Sequence, residues 1–199
     1  MNIAVFASGR GTNFSAVVRA VKAGKIKANL ALLVCDNPGA QVVGRARRAG
    51  IKIALVTRKE LSAKEEFENK IIAYLQECKI DLIVLAGFMC LLSSAFVRRY
   101  SGRIINIHPS LLPSFKGVQG IKDAFDYGSK VTGVTVHFVD EKMDHGPIIL
   151  QGAVRIEEND TLESLEVKIH RLEHKLYPEA IRLFTEGKLR LEGRKVTIK

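Results

Sequence analysis

The chain has 199 residues, 47 % of them hydrophobic, and carries 31 Lys and Arg against 21 Asp and Glu, for a formal net charge of +10. That length and apolar share supply a packed core for one large domain or two small ones, and no apolar run is long enough to span a membrane. Arg10 interrupts the first hydrophobic run too early for a secretory leader, so a cytoplasmic protein with no membrane partner is expected. Cys35, Cys78 and Cys90 are odd in number and lack close pairing, which indicates neither a disulfide framework nor a zinc knuckle. They read as small apolar residues, and no metal site is expected. The positive balance would ordinarily suggest phosphate neutralisation on nucleic acid. Here the basic residues fall into short dispersed clusters, Arg45-Ala46-Arg47-Arg48, Arg98-Arg99 and Lys188 to Lys199, that read as solvated surface, so no nucleic-acid partner is expected.

Apolar runs alternate with helical patterns along the chain. A strand over 2–7 leads into the glycine-rich turn Ser8-Gly9-Arg10-Gly11-Thr12-Asn13-Phe14 and a helix over 13–23 that ends at Gly24. A strand over 30–35, a helix over 41–49 ending at Gly50 and a strand over 51–56 follow. The run Ser62-Ala63-Lys64-Glu65 reads as a capping box opening a helix over 62–78. Strands are expected over 80–86 and 103–108, then a Pro-rich loop, a short helix near 120–127 and β-rich runs over 131–139 and 147–156. A long helix over 161–186 takes Asp160 or Thr161 as its cap, and Pro178 should kink it or start a new one. Residues 189–198 read as a terminal hairpin. Strand, helix, strand alternation of this kind predicts an α/β fold, a mostly parallel twisted sheet with helices on both faces.

Two segments carry chemistry. The turn at 8–14 presents backbone N–H groups at the positive end of a helix, a ready site for phosphate. A dinucleotide fingerprint with Asp36 as ribose acid competes with that reading, but Phe14 stands where a third glycine belongs, which favours a monophosphate. In the strand ending at His108, side chains two apart share a face, so Asn106 and His108 point together, and Pro109 ends the ladder. An amide beside an imidazole, with the carboxylate of Asp144 from another strand end, can stabilise an oxyanion and move a proton, which suits acyl transfer. His137 reads as a satisfied interior histidine and His145 as surface.

The run Asn106-Ile107-His108-Pro109-Ser110-Leu111-Leu112-Pro113-Ser114-Phe115-Lys116-Gly117, then Gly133-Val134-Thr135-Val136-His137-Phe138-Val139, then Asp144-His145-Gly146-Pro147-Ile148-Ile149, resembles the folate-dependent formyltransferases. The turn Phe6-Ala7-Ser8-Gly9-Arg10-Gly11-Thr12-Asn13 is similar to the phosphate loop of the branch that formylates phosphoribosylglycinamide in purine synthesis. The resemblance implies one Rossmann-like formyltransferase domain over 1–199, with 1–103 as the phosphate-binding half and 104–199 as the catalytic and folate-binding half. It implies transfer from 10-formyltetrahydrofolate to a glycinamide amine, with Asn106, His108 and Asp144 catalytic. Gly11, Thr12, Asn13, Pro109, His170 and Glu173 then hold the phosphoribosylated substrate. The folate falls to Lys64, Met89, Cys90, Leu91, Leu92, Val139, Asp140, Glu141, Lys142 and Met143.

Relatives commonly carry arginine where this chain has Cys90 and Lys64, and a histidine near Gln119 and Ile121. Lys64 still attracts folate carboxylates, without the planar fork for bidentate pairing. Small-molecule substrates and a monomer or homodimer are expected. The alternatives are a methionyl-tRNA formyltransferase-like or a formyltetrahydrofolate hydrolase-like enzyme, both of which ordinarily carry a further domain for which the chain has no room, and, more remotely, an NAD-binding oxidoreductase or a basic RNA-binding domain.

Overall fold

The computed structural model describes residues 1–57 and 63–199. Seven strands, β1 (Asn2–Phe6), β2 (Asn29–Cys35), β3 (Lys52–Leu55), β4 (Leu82–Leu85), β5 (Ile104–His108), β6 (Val131–Phe138) and β7 (Ile148–Arg155), form one sheet in the order β3-β2-β1-β4-β5-β6-β7. β1 runs parallel to β2 and β4, β2 runs parallel to β3, and β6 and β7 are antiparallel. The α/β expectation with a mostly parallel sheet therefore holds. Ile3, Ala4, Val5 and Phe6 of β1 have no exposed surface, as a parallel strand covered on both faces requires. The terminal hairpin is present as β8 (Leu189–Glu192) and β9 (Lys195–Ile198).

Among the described residues the helices are α1 (Thr12–Lys22), α2 (Gln41–Ala49), α3 (Lys64–Glu77), α4 (Ser94–Arg99), α5 (Gly120–Asp126) and α6 (Leu162–Thr185). Three details differ from expectation. Ser62 of the expected capping box lies outside the described residues, and α3 has Ala63 at its N-cap without a side-chain bond. No helix was expected at 94–99, yet the Ser93 side chain accepts from the Phe96 amide and caps α4. Pro178 neither divides α6 nor restarts it. Proline deletes one backbone donor, but Leu165, Ile169, Tyr177, Ala180, Ile181 and Leu183 are buried on both sides of it, and that packing carries the helix through. Thr161, not Asp160, is the α6 cap, in a reciprocal box with Ser164.

The chain divides into two compact units, Met1–Ile105 and Asn106–Lys199. Among the described residues no helix is long and apolar enough to cross a membrane.

Candidate active site

In the first unit, the turn after β1 holds Gly11 at φ 73, left-handed backbone that glycine adopts without strain. Thr12 opens α1 and Asn13 is buried in its first turn. Ser8 links this turn to the loop after β4. Its amide donates to the Gly87 carbonyl at 3.0 Å, and its hydroxyl accepts from the Met89 amide at 2.8 Å. Cys90, expected to be simply apolar, donates its thiol hydrogen to the Asp36 carboxylate at 3.2 Å. Asp36 is thus engaged with the 89–92 loop rather than standing as a free ribose acid. Met89 and Leu91 remain 67 % and 63 % exposed, while Leu92 is half-buried. Beyond them the Ser93 amide donates to buried Glu68 at 2.6 Å, which fixes the far end of the loop. Lys64 is half-buried at the start of α3.

The second unit brings the three expected catalytic residues together. Asp144 Oδ2 lies 3.4 Å from His108 Nδ1, and its Oδ1 lies 3.9 Å from Nε2 of His137. Asn106 Nδ2 is 3.2 Å from that same His137 nitrogen. The Phe138 carbonyl, 2.7 Å from His137 Nδ1, can only accept, so Nδ1 carries the hydrogen and Nε2 accepts from Asn106. Burial lowers the His137 pKa below the usual imidazole range, outweighing the Phe138 carbonyl and Asp144, which raise it. The ring is therefore neutral at pH 7 and orients the Asn106 amide. His108 is also buried, with Nε2 donating to the Phe115 carbonyl at 2.8 Å.

Asp144 sits at φ 47 and accepts from the Gly117 amide at 2.8 Å. Two residues on, a Cβ on Gly146 would fall 1.8 Å from the Phe138 carbonyl oxygen, so only glycine lets the loop return this tightly to β6. Partial burial pushes the Asp140 carboxyl up, but hydrogen bonds from His145 at 2.6 Å and the Lys142 amide at 3.0 Å bring it below its ordinary value. His145, expected at the surface, is only half-exposed, and Arg194 in the β8–β9 turn donates to its carbonyl at 2.7 Å. Val139 is half-buried, whereas Glu141, Lys142 and Met143 are exposed. On α6, His170 Nδ1 lies 2.9 Å from a buried Glu173 carboxylate, so this pair is not a solvated helix face.

Residues 1–181 match the Formyl transferase family. The chain is 50 % identical over 179 residues to phosphoribosylglycinamide formyltransferase of Bacillus subtilis strain 168, across 90 % of this chain and 92 % of that protein. It is 42 % identical over 190 residues to the Haemophilus influenzae Rd protein of the same name, across 96 % and 90 %. The crystal structure of glycinamide ribonucleotide transformylase 1 from Symbiobacterium toebii superposes with a TM-score of 0.96 at 42 % identity, over 100 % of this chain and 93 % of that one. The chain belongs to the formyl transferase family.

The conformation of the run Pro109-Ser110-Leu111-Leu112-Pro113 has a physical reason in this fold. Thr135, fully buried, donates to the Ser110 carbonyl at 2.7 Å and accepts from the Leu112 amide at 3.0 Å, while Gln151 donates to the Leu112 carbonyl at 3.0 Å. Half-buried Pro109 therefore follows His108 into a segment held by β6 and β7. Sequence reasoning passed over Thr135 and Gln151 and left His137 outside the site. Thr135 and His137 stand two apart on β6, the one-face spacing that singled out Asn106 and His108 on β5, and that was the available signal.

Proposed function

We propose that the chain transfers a formyl group from 10-formyltetrahydrofolate to the amine of phosphoribosylglycinamide, as a cytoplasmic enzyme of purine biosynthesis acting on two small molecules. The observation that carries this reading is the convergence of Asn106, His108 and Asp144 in one cluster, within a chain 50 % identical to the phosphoribosylglycinamide formyltransferase of Bacillus subtilis. When the amine attacks the formyl carbon, charge develops on the carbonyl oxygen. Asn106 gives one amide hydrogen to His137 and keeps the other for that oxygen. His108 Nε2, which here donates to a backbone carbonyl, supplies the second donor. The Asp144 carboxylate faces the other nitrogen of the ring, supports its role as donor, and holds the water that passes the amine proton to the folate nitrogen as the old C–N bond breaks.

The 89–92 loop fits a folate ring: exposed Met89 and Leu91 offer apolar faces, and the backbone between them offers polar edges. Lys64 attracts the folate carboxylates. Gly11, Thr12 and Asn13 take the substrate phosphate, with His170 and Glu173 on the ribose and glycinamide. The test is the release of tetrahydrofolate by the purified chain with and without phosphoribosylglycinamide. Release only in its presence is expected, whereas equal release in its absence would indicate hydrolysis and contradict the assignment.

A further inference from the structure

We propose that Arg45, on α2, is a positioning residue for the substrate phosphate that acts through the backbone of the glycine-rich turn; this rests on the assignment of Gly11 to Asn13 as the phosphate loop. In the sequence Arg45 looks like one member of a solvated basic cluster. In the structure it is half-buried, and its guanidinium reaches two elements: Nε donates to the Arg10 carbonyl at 2.8 Å and Nη1 to the Ser15 hydroxyl on α1 at 3.2 Å. One turn earlier on the same helix, the Val42 amide donates to the Gly9 carbonyl at 3.1 Å. α2 thus takes up both carbonyls that precede Gly11.

The consequence follows from peptide geometry. Across a trans peptide the C=O and N–H point in opposite directions, so carbonyls of Gly9 and Arg10 turned toward α2 aim the amides of Arg10 and Gly11 away from it. Gly11 locks the turn in a second way. A Cβ there would lie 2.5 Å from Val42 Cγ2, so its absence lets α2 press directly on the loop. Amides aligned at the start of an eleven-residue helix form a concavity for an anion. Removing Arg45 leaves the Arg10 carbonyl without its α2 donor and lets the 10–11 peptide rotate, turning the Gly11 amide off the ligand. Lysine keeps the charge but lacks the rigid fork that serves the loop and α1 at once.

Steady-state kinetics and a phosphate-binding measurement test this. Arg45→Ala should raise the KM for phosphoribosylglycinamide by about tenfold, with kcat within about twofold and folate KM unchanged. The same factor should appear in the affinity for inorganic phosphate, read by calorimetry without any reaction. Arg45→Lys should recover only part of the loss, and the analogue lacking the phosphate should react alike with wild type and variant. An unchanged KM and phosphate affinity in Arg45→Ala, full recovery by lysine, or an equal loss with the phosphate-free analogue would each overturn the proposal. Absence of formyl transfer by the wild type would instead strike the assigned reaction, leaving the phosphate measurement to decide on Arg45.

Discussion

Asp144 occupies left-handed backbone that aspartate tolerates better than most residues, and its Oδ2 accepts from the Gly117 amide and faces His108 Nδ1. Asparagine accepts the same φ and can still receive the Gly117 amide, so Asp144→Asn removes charge while keeping shape. Turnover should fall by roughly 100-fold with little change in melting temperature or folate affinity. Full activity would remove Asp144 from the catalytic set. His137 adds a pH signature. Its folded pKa lies below the ordinary 6.5, so between the two values the unfolded chain binds more protons than the folded one. The stability contributed by the buried neutral ring is therefore present above pH 6.5 and is lost as pH falls below it. Urea unfolding of wild type should weaken from about pH 7 to about pH 5, and less so for His137→Gln. Parallel losses in both proteins would show that His137 does not titrate in this way. Asn106 and His108 were legible because one strand's period pairs them. His137 shares the same two-residue spacing with Thr135 on β6, but nothing in that spacing tells that this face meets Asn106 on another strand.

At the scale of elements, α6 begins on a polar knot. The Lys168 ammonium at 2.5 Å, the Glu157 amide at 2.8 Å and the Ser164 hydroxyl at 2.7 Å hold Asp160 down to a pKa of about 2. Because the folded value is below the ordinary 3.8, ionised Asp160 contributes stability above pH 3.8 that disappears as pH falls through about 2. Asp160→Asn should lower the melting temperature at neutral pH, and the gap from wild type should close across that acid window. A gap that persists below it would point to packing instead of charge. The sequence left Asp160 and Thr161 as equal candidates for the cap. Thr161 caps the helix backbone while Asp160 binds Lys168, Ser164 and the Glu157 amide ahead of the helix, a division of labour set by their geometry rather than their type. Pro178 misled for a related reason: propensity counts the missing donor but not the buried face that compensates for it.

For the molecule as a whole, alternating apolar runs and helical patterns were enough to indicate a mostly parallel α/β sheet, because buried parallel strands are apolar throughout. Strand order was not legible, since β1, β2 and β4 are similar short apolar runs and nothing in their composition ranks their neighbours. The net charge of +10 was equally indifferent, and among its contributors Arg45 became distinguishable only once its carbonyl partner was visible. The proposed role of the β5 donors is to stabilise charge that exists only in the transition state. It is tested most directly by His108→Ala, with kcat from single-turnover formyl transfer and substrate dissociation constants from calorimetry. kcat should fall by about 100- to 1000-fold, or about 2.7 to 4 kcal/mol, while both dissociation constants stay within about threefold. Weakened substrate binding with an unchanged kcat would contradict it.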